Sequence, residues 1–303
     1  MNLQRKAYIY ALLATLLWST IGSAFKITLR YISFADLLLF AAFTSVIFFL
    51  ILMIFTGKIV LLKQLKAKDY LMSAMLGALN PFLYYLVLLK AYELLLAQEA
   101  GTLNYIWPVV LVLLSIPLLK QNIGWLSILA IIISFAGTII IGTRGQLHDM
   151  RFTNTHGVLL ALASAVFWAL FWIFNVKDKK DEVVKLFLNF CFGSLFILIY
   201  VIFTTGLKIP GFEGLTGAVY AGLVEMGITY ILWLKALKLS ATTAKVSNLV
   251  YLSPFLSLII IRFIVGEEIF LTTIAGLILI VGGIILQQFA ESTGKQMVGR
   301  LNK

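Results

Sequence analysis

A few polar side chains stand inside stretches of sequence that are otherwise almost wholly apolar. Glu225 lies in GLVEMGITYILW with Thr229 four residues later, and Asn80 lies in a similar run with Tyr84 four residues later. In an α-helix this spacing places both members of a pair on one face. A carboxylate on such a face can attract an ammonium group or carry a proton, and an amide can bind the polar end of a small molecule. These residues predict a site for a small polar ligand, with a structural hydrogen bond as the alternative for Glu225.

Two more charged residues, Glu99 and Lys245, occupy equivalent positions with opposite sign near the ends of apolar stretches. Lys245 and Asn248 are three residues apart, so they share a helical face, and Lys245 can reach a substrate carboxylate. Its alternative is a contact with anionic lipid headgroups. Glu99, Glu225 and Lys245 are therefore candidates for a charge or coupling role.

Aromatic side chains accompany these polar residues and lie toward the middle of the apolar stretches, whereas the rings of an interface belt cluster at the ends of membrane helices. Such rings can stack on a planar substrate or hold a cation, although ordinary packing is the alternative for each single ring. The predicted substrate-binding residues are Trp18, Asn80, Tyr84, Tyr85, Asn104, Tyr105, Trp107, Trp168, Trp172, Glu225, Tyr230, Asn248 and Tyr251.

The elements that position these side chains are predicted to be membrane helices. Hydrophobic residues make up 61% of the 303-residue chain and charged residues 12%, and the mean hydropathy is +1.02, which is far too apolar for a soluble domain. A helix of about 20 apolar residues crosses the hydrocarbon core of a bilayer. The chain is thus predicted to be an all-α membrane protein with ten spans, near residues 7–25, 34–56, 69–90, 97–118, 123–142, 157–174, 184–206, 214–236, 244–265 and 271–289.

The sequence also repeats itself. ALLATLLW, ending at Trp18, aligns with ALASAVFW, ending at Trp168, and YLVLLKA from Tyr85 aligns with YILWLKA from Tyr230. Since each copy holds five spans, an odd number, the second copy must enter the membrane from the opposite side. Inverted repeats of this kind are typical of secondary transporters, whose substrate site lies near the midplane between the copies. A duplicated bundle with a scaffolding role is the alternative.

The repeat predicts the domain organisation. Residues 1–142 form the first five-helix repeat, residues 143–156 a polar linker loop, and residues 157–303 the second repeat with a short cytoplasmic tail. We expect the two repeats to enclose a central cavity.

The distribution of positive charge predicts the orientation in the membrane. Of the 24 lysines and arginines, 17 fall on the side that holds the N-terminus and seven on the other side. By the positive-inside rule, both termini are predicted to be cytoplasmic, in a prokaryotic inner (plasma) membrane. The net charge of +11 thus encodes orientation and contact with membrane lipid, and no nucleic-acid partner is expected.

No pattern in the sequence favours an enzyme, a metal site or a cofactor. His148 and His156 fall in the predicted linker without the spacing of metal ligands, and the chain has no glycine-rich phosphate loop or nucleophile elbow. Cys191 is the only cysteine, so no internal disulfide can form.

Several stretches together resemble a known family. LLWST at 16–20, LNYIWP at 103–108, AVFWALFWIFNVK at 165–177 and the pair GITYILW and LVYLSPFLSL resemble the ten-helix EamA-type branch of the drug/metabolite transporter superfamily, and most of all its bacterial aromatic amino acid exporters.

That resemblance implies a basket-like bundle around a central cavity, with the fifth and tenth helices peripheral and a possible homodimer through them. It also implies the export of a small metabolite by alternating access. The family's cavity aromatics fall on Tyr84 or Tyr85, Tyr105, Trp107 and Trp168 of this chain.

The functional hypothesis is a secondary transporter, most simply an exporter, that moves amino acids, with aromatic ones as candidates, or similar small metabolites. One alternative is an exporter of hydrophobic organic cations or drugs, for which Glu225 and an aromatic cage suffice. A more distant alternative is a non-transporting receptor or scaffold, which predicts no central polar cavity.

Overall fold

The computed structural model describes residues 3–119, 125–145, 154–175, 178–240, 249–250 and 252–301, and this part of the chain is helical without a β-strand. Its α-helices are α1 (Leu3–Thr28), α2 (Phe34–Phe55), α3 (Ala67–Gly77), α4 (Tyr84–Leu94), α5 (Ala97–Asn104), α6 (Trp107–Leu119), α7 (Trp125–Gly142), α8 (Thr155–Asn175), α9 (Glu182–Thr204), α10 (Phe212–Tyr220), α11 (Thr229–Leu239), α12 (Leu252–Ile260) and α13 (Leu271–Leu301).

Within the described residues, seven helical stretches are long and apolar enough to cross a membrane. They agree with seven of the predicted spans, and the protein is an integral membrane protein. The other three predicted spans overlap shorter apolar helices. The seven stretches are Leu3–Thr28, Phe34–Phe55, Ala67–Leu94, Ala97–Leu118, Thr155–Asn175, Glu182–Thr204 and Phe212–Ala236, and the three shorter helices are Ile128–Ile141, Leu252–Val265 and Leu271–Leu286.

Two of the long stretches are interrupted by π-helical segments, Ala78–Leu83 between α3 and α4 and Ala221–Ile228 between α10 and α11. In the first segment Pro81 cannot donate a backbone hydrogen bond, and Asn80 leaves the helical region of φ and ψ at −149° and 118°. π-Helical turns often mark functional positions in membrane and soluble helices. Asn80 and Glu225 lie inside these two segments.

The wider turn changes the setting of Glu225 and Thr229. The prediction that Glu225 and Thr229 share a face assumed a regular α-helix. The Thr229 hydroxyl instead donates to the carbonyl of Val224, five residues earlier, at 2.5 Å. Thr229 is fully buried, and this bond ties its hydroxyl to its own helix turn.

The stretch Ala97–Leu118 is broken at Tyr105 and Ile106, which form a turn between α5 and α6. Pro108 follows as the second residue of α6, where its missing N–H removes no helical hydrogen bond. The break brings Asn104 and Trp107 to a bend in the middle of the span.

One end of the bundle, the N-terminal face, carries the loops at residues 56–66 and 178–181. There the Lys58 ammonium lies 2.8 Å from a carboxylate oxygen of Asp181, which also caps α9 by accepting from the amides of Val183 and Val184. The bridge ties the loop after α2 to the loop before α9.

The opposite end, the linker face, carries the loops at residues 29–33, 95–96, 205–211 and 266–270. There the Gln98 side chain donates to the carbonyl of Glu268 at 2.7 Å. Its oxygen accepts from the amide of Phe270 at 3.1 Å and from the Thr273 hydroxyl at 3.0 Å. Gln98 is fully buried, so these bonds hold the start of α5 firmly to the start of α13.

The start of α5 is also capped from the far end of the chain. The Glu267 carboxylate accepts from the backbone amides of Ala97 at 2.9 Å and Gln98 at 3.3 Å. These amides are among the first of the helix and have no partner within it, and a carboxylate also suits the positive end of the helix dipole.

Helices α7 and α13 pack along each other through a seam of small residues. A Cβ atom at Gly137 would lie 2.5 Å from the carbonyl oxygen of Gly276, and one at Gly276 would lie 2.7 Å from that of Gly137. Only residues without a side chain allow two helix backbones to approach so closely, as is common between membrane helices. The two helices expected at the periphery therefore form a tight pair.

A candidate substrate cavity

A cavity of about 130 Å³ lies inside the bundle between α1, α4, α5, α8, α12 and the segment Ala221–Ile228. It combines aromatic rings with amide, hydroxyl and carboxylate groups. Seven of the predicted substrate-binding residues line it: Trp18, Tyr84, Asn104, Tyr105, Trp107, Trp168 and Glu225.

Trp168 stands at the centre of the aromatic wall. Its ring lies 4.6 Å from that of Tyr84 at an interplanar angle of 30°, and it meets Trp107 and Trp172 edge to face at 6.5 Å and 5.8 Å. These rings support one another by packing and also present apolar surface to the cavity, so the two predicted roles for the aromatics are compatible.

Two buried hydrogen bonds cross between the two halves of the chain in a reciprocal pattern. The Tyr85 hydroxyl donates to the Glu225 carboxylate at 2.9 Å, and the Asn80 amide donates to the Tyr230 hydroxyl at 3.1 Å. Asn80 aligns with Glu225 and Tyr85 with Tyr230 in the sequence repeat. Each half therefore supplies one tyrosine and one polar partner, and each tyrosine serves the polar residue of the other half.

Glu225 and Asn80 each keep one side-chain oxygen that takes no part in these bonds. The second carboxylate oxygen of Glu225 and the side-chain oxygen of Asn80 are buried and have no hydrogen-bond partner within the described part of the chain. A buried polar atom that lacks a partner costs free energy, which a polar ligand or water can recover. Of the two residues, Glu225 lines the cavity, whereas Asn80 is buried away from it and bonded to Tyr230.

Asn104 links two other predicted positions at the bend between α5 and α6. Its side-chain oxygen accepts from the Tyr84 hydroxyl at 3.4 Å, and its amide nitrogen donates to the Ser164 hydroxyl at 2.7 Å. Tyr105 donates to the backbone carbonyl of Val250 at 2.5 Å. These bonds fix the orientation of the amide in the cavity wall.

Trp172 and Tyr230 line a second, smaller cavity of about 20 Å³ toward the N-terminal face. Trp18 and Trp168 line both cavities, so their rings lie between the two spaces. A space of this size holds about one water molecule. The indole N–H of Trp172 is buried there and has no partner among the described residues.

Not every predicted residue reaches the cavity. Glu99 accepts from the Arg144 guanidinium at 2.6 Å and from the amide of Leu96 at 3.3 Å, so it is an ion-paired helix cap at the linker face. Lys245, Asn248 and Tyr251 lie outside the residues that the structure describes.

Neighbouring groups on the N-terminal face change the pKa of Asp181. Partial burial raises the pKa of Asp181, but hydrogen bonds from Lys58 and from the amides of Val183 and Val184 outweigh it, and the pKa lies below its ordinary value. Asp181 is therefore an ionised structural cap and takes no part in the cavity.

Other residues that line the cavity were not predicted from the sequence, among them Gly22, Tyr92 and Gly101. The signal for Tyr92 is present in the sequence, because Tyr84, Leu88 and Tyr92 follow one another at a spacing of four and all three line the cavity. The glycines carry no such signal, since only the packed structure shows which neighbours they admit.

These features define a class of protein: an all-helical membrane protein built around an internal cavity of mixed aromatic and polar character. The chain belongs to the EamA-like transporter family, whose sequence pattern matches residues 5–143 and 155–287. The resemblance noted in the sequence is thus confirmed, and the protein is a membrane transporter rather than an enzyme.

Relatives of the chain bear similar descriptions. It is 26% identical over 284 residues to the uncharacterized transporter YvbV of Bacillus subtilis (strain 168), covering 91% of this chain and 90% of YvbV. It is 27% identical over 157 residues to the aromatic amino acid exporter YddG of Ancylobacter novellus, covering 50% of this chain and 53% of that protein. A solved crystal structure shares the fold, with a TM-score of 0.64 and 21% identity, and the match covers 95% of this chain and 98% of the other.

Proposed function

We propose that this protein is a secondary transporter that exports amino acids, aromatic ones included, or similar small metabolites by alternating access. The observation that carries the proposal is the cavity inside the bundle, because Glu225, which keeps one carboxylate oxygen without a partner among the described residues, lines the same space as the aromatic wall around Trp168. The similarity to the exporter YddG, which extends over half of the chain at 27% identity, supports an amino acid as the substrate.

The aromatic and the polar residues of the cavity bind different parts of the substrate. Trp18, Trp107 and Trp168 provide apolar surface for a side chain, while Glu225 and Asn104 provide acceptors and a donor for the polar head. Glu225 attracts an ammonium group or carries a coupling proton, because a charge at this depth needs a partner.

The proposal includes an inverted repeat of ten membrane helices, with residues 1–142 and 157–303 as the two copies and residues 143–156 as the linker. The reciprocal bonds Tyr85–Glu225 and Asn80–Tyr230 support it. We further propose that both termini are cytoplasmic and that the protein resides in the inner membrane of a prokaryote, as its positive charges favour.

An exporter of hydrophobic organic cations is the second candidate. Among the described residues that line the cavity, Glu225 is the only carboxylic acid, and none of the others is a lysine or an arginine. A carboxylate beside aromatic rings can bind an organic cation. Such a substrate has no carboxylate, so the cavity needs no positively charged side chain to bind it.

The test is uptake into liposomes by the wild type and by Glu225→Gln, at several pH values, with amino acids and cationic amines as competitors. We expect the substitution to reduce transport and to flatten its pH dependence. The matched control is Glu213→Gln, an exposed glutamate at the start of α10, which should transport like the wild type.

Competition by amines alone would select the organic-cation candidate. Unchanged transport and an unchanged pH profile in Glu225→Gln would remove Glu225 from the mechanism.

A further inference from the structure

Tyr92 lines the end of the cavity nearest the linker face, and its backbone and its ring both contact α1. Its carbonyl accepts from the Lys26 ammonium at 2.8 Å, which fixes the end of α4 against α1. Its ring meets Phe25 edge to face at 5.5 Å with an interplanar angle of 76°. Tyr92 is only 6% exposed, and its hydroxyl oxygen is bonded rigidly to the ring, so the oxygen shifts only when the whole ring tilts.

The hydroxyl tip lies in a notch between two glycines that also line the cavity. A Cβ atom at Gly22 in α1 would lie 3.1 Å from this oxygen, and one at Gly101 in α5 would lie 2.8 Å from it. Neither helix could carry a side chain here without displacing the tyrosine. Since α1 and α5 flank the hydroxyl, the cavity is the open space into which it can move.

Tyr92 also lies far along the cavity from the central aromatic wall. Eight residues separate it from Tyr84, which stacks on Trp168, and eight residues of helix rise about 12 Å. Displacing the Tyr92 hydroxyl therefore shortens the cavity at one end and leaves the aromatic wall and Glu225 in place.

We propose that Tyr92 is a specificity-determining residue that sets the upper size limit of the substrate. Gly22 and Gly101 contribute to this limit because the absence of their side chains leaves space for the Tyr92 hydroxyl between α1 and α5, outside the volume that the substrate occupies. The inference rests on the proposed transport through this cavity and adds the residue that decides how large a substrate fits. It concerns size alone, so it applies to amino acids and to amines alike.

The test is Gly101→Ala, alone and combined with Tyr92→Phe. The new methyl group must push the hydroxyl from 2.8 Å to at least the 3.4 Å of ordinary contact, and that oxygen then occupies space in the cavity. Phenylalanine removes the oxygen, and the next atom of the ring, Cζ, already lies 3.8 Å from the methyl position. The double variant should therefore regain the wild-type cavity.

Transport is measured in liposomes for two series of increasing size: alanine, phenylalanine and tryptophan, and their decarboxylated amines ethylamine, phenethylamine and tryptamine. In Gly101→Ala we expect the apparent affinity for the largest member to fall by about tenfold or more, the loss typical of one methylene too many in a pocket, with little change for the smallest. Tyr92→Phe should restore it. Gly282→Ala is the matched control, because a Cβ atom there meets nothing within 4 Å.

The outcomes separate this inference from the proposed function. Suppose that the wild type transports either series. The size limit would then be overturned if Gly101→Ala affected all sizes equally, or if Tyr92→Phe failed to rescue the transport of the largest member. If the wild type moved neither series, the proposed function would fail. A structure of Gly101→Ala would then decide the inference by itself, since a displaced Tyr92 hydroxyl in a smaller cavity supports it and an unmoved one refutes it.

Discussion

Gly282 and Gly283 are neighbours in α13, yet the structure predicts opposite effects for their replacement by alanine. A Cβ atom at Gly282 meets nothing within 4 Å. A Cβ atom at Gly283 would lie 2.6 Å from the carbonyl oxygen of Ala130 and 2.1 Å from the Ser134 hydroxyl, both in α7. The hydroxyl can rotate away, but the carbonyl belongs to a helix backbone and cannot.

The magnitude follows from that backbone contact. To reach an ordinary separation of 3.4 Å, the two helices must move apart by most of an ångström along much of their shared seam. Overpacking of this kind typically costs about 1–3 kcal/mol. The gain in helix propensity from glycine to alanine, up to about 1 kcal/mol, is common to both variants and cancels in their difference. We therefore expect Gly283→Ala to be less stable than Gly282→Ala by about 1–3 kcal/mol.

The assay is unfolding of the purified variants in one detergent, followed by circular dichroism. A difference of this size should separate the melting temperatures by about 2–4 °C for each kcal/mol. Equal midpoints for the two variants would mean that α7 and α13 do not approach as closely as described, and the argument from the glycine seam would then be wrong.

Two further predictions concern contacts between the halves. Asn80→Ala and Tyr230→Phe should each reduce stability by about 1 kcal/mol, and the double variant should lose less than the sum, because both remove the same buried bond; a double-mutant cycle of unfolding free energies measures this. Asp181, whose pKa is lowered in the folded state, stabilises the fold above the unfolded pKa of about 3.9, and this contribution is lost as pH falls through the folded pKa. Lys58→Met should therefore lower stability at neutral pH and weaken its loss in acid, which unfolding midpoints across a pH series would show, while an unaltered pH dependence would contradict the assigned role of Lys58.

Much of the fold is readable from the sequence because membrane helices are encoded by length and hydropathy. The segments Phe34–Phe55 and Glu182–Thr204 coincide with predicted spans almost to the residue. The sequence also aligned Asn80 with Glu225, since both stand in apolar runs one repeat apart. These signals are local or periodic, and such signals survive in a single sequence.

The contacts of the site could not be foreseen, because they depend on how distant segments meet. Asn80 was expected to act with Tyr84, but the π-helical turn and the packing of the second half bring it to Tyr230. Glu99 has the sequence character of a functional carboxylate, and its partner Arg144 is fixed only by the path of the chain 45 residues later.

The cap that Glu267 places on α5 bears on how the protein is made. The amides of Ala97 and Gln98 emerge from the ribosome long before the carboxylate that binds them, which lies 170 and 169 positions further along. Until Glu267 has been synthesised, the amides at the start of α5 must be satisfied by water or lipid headgroups. The cap at the start of α5 thus forms only after the second half of the chain has been made.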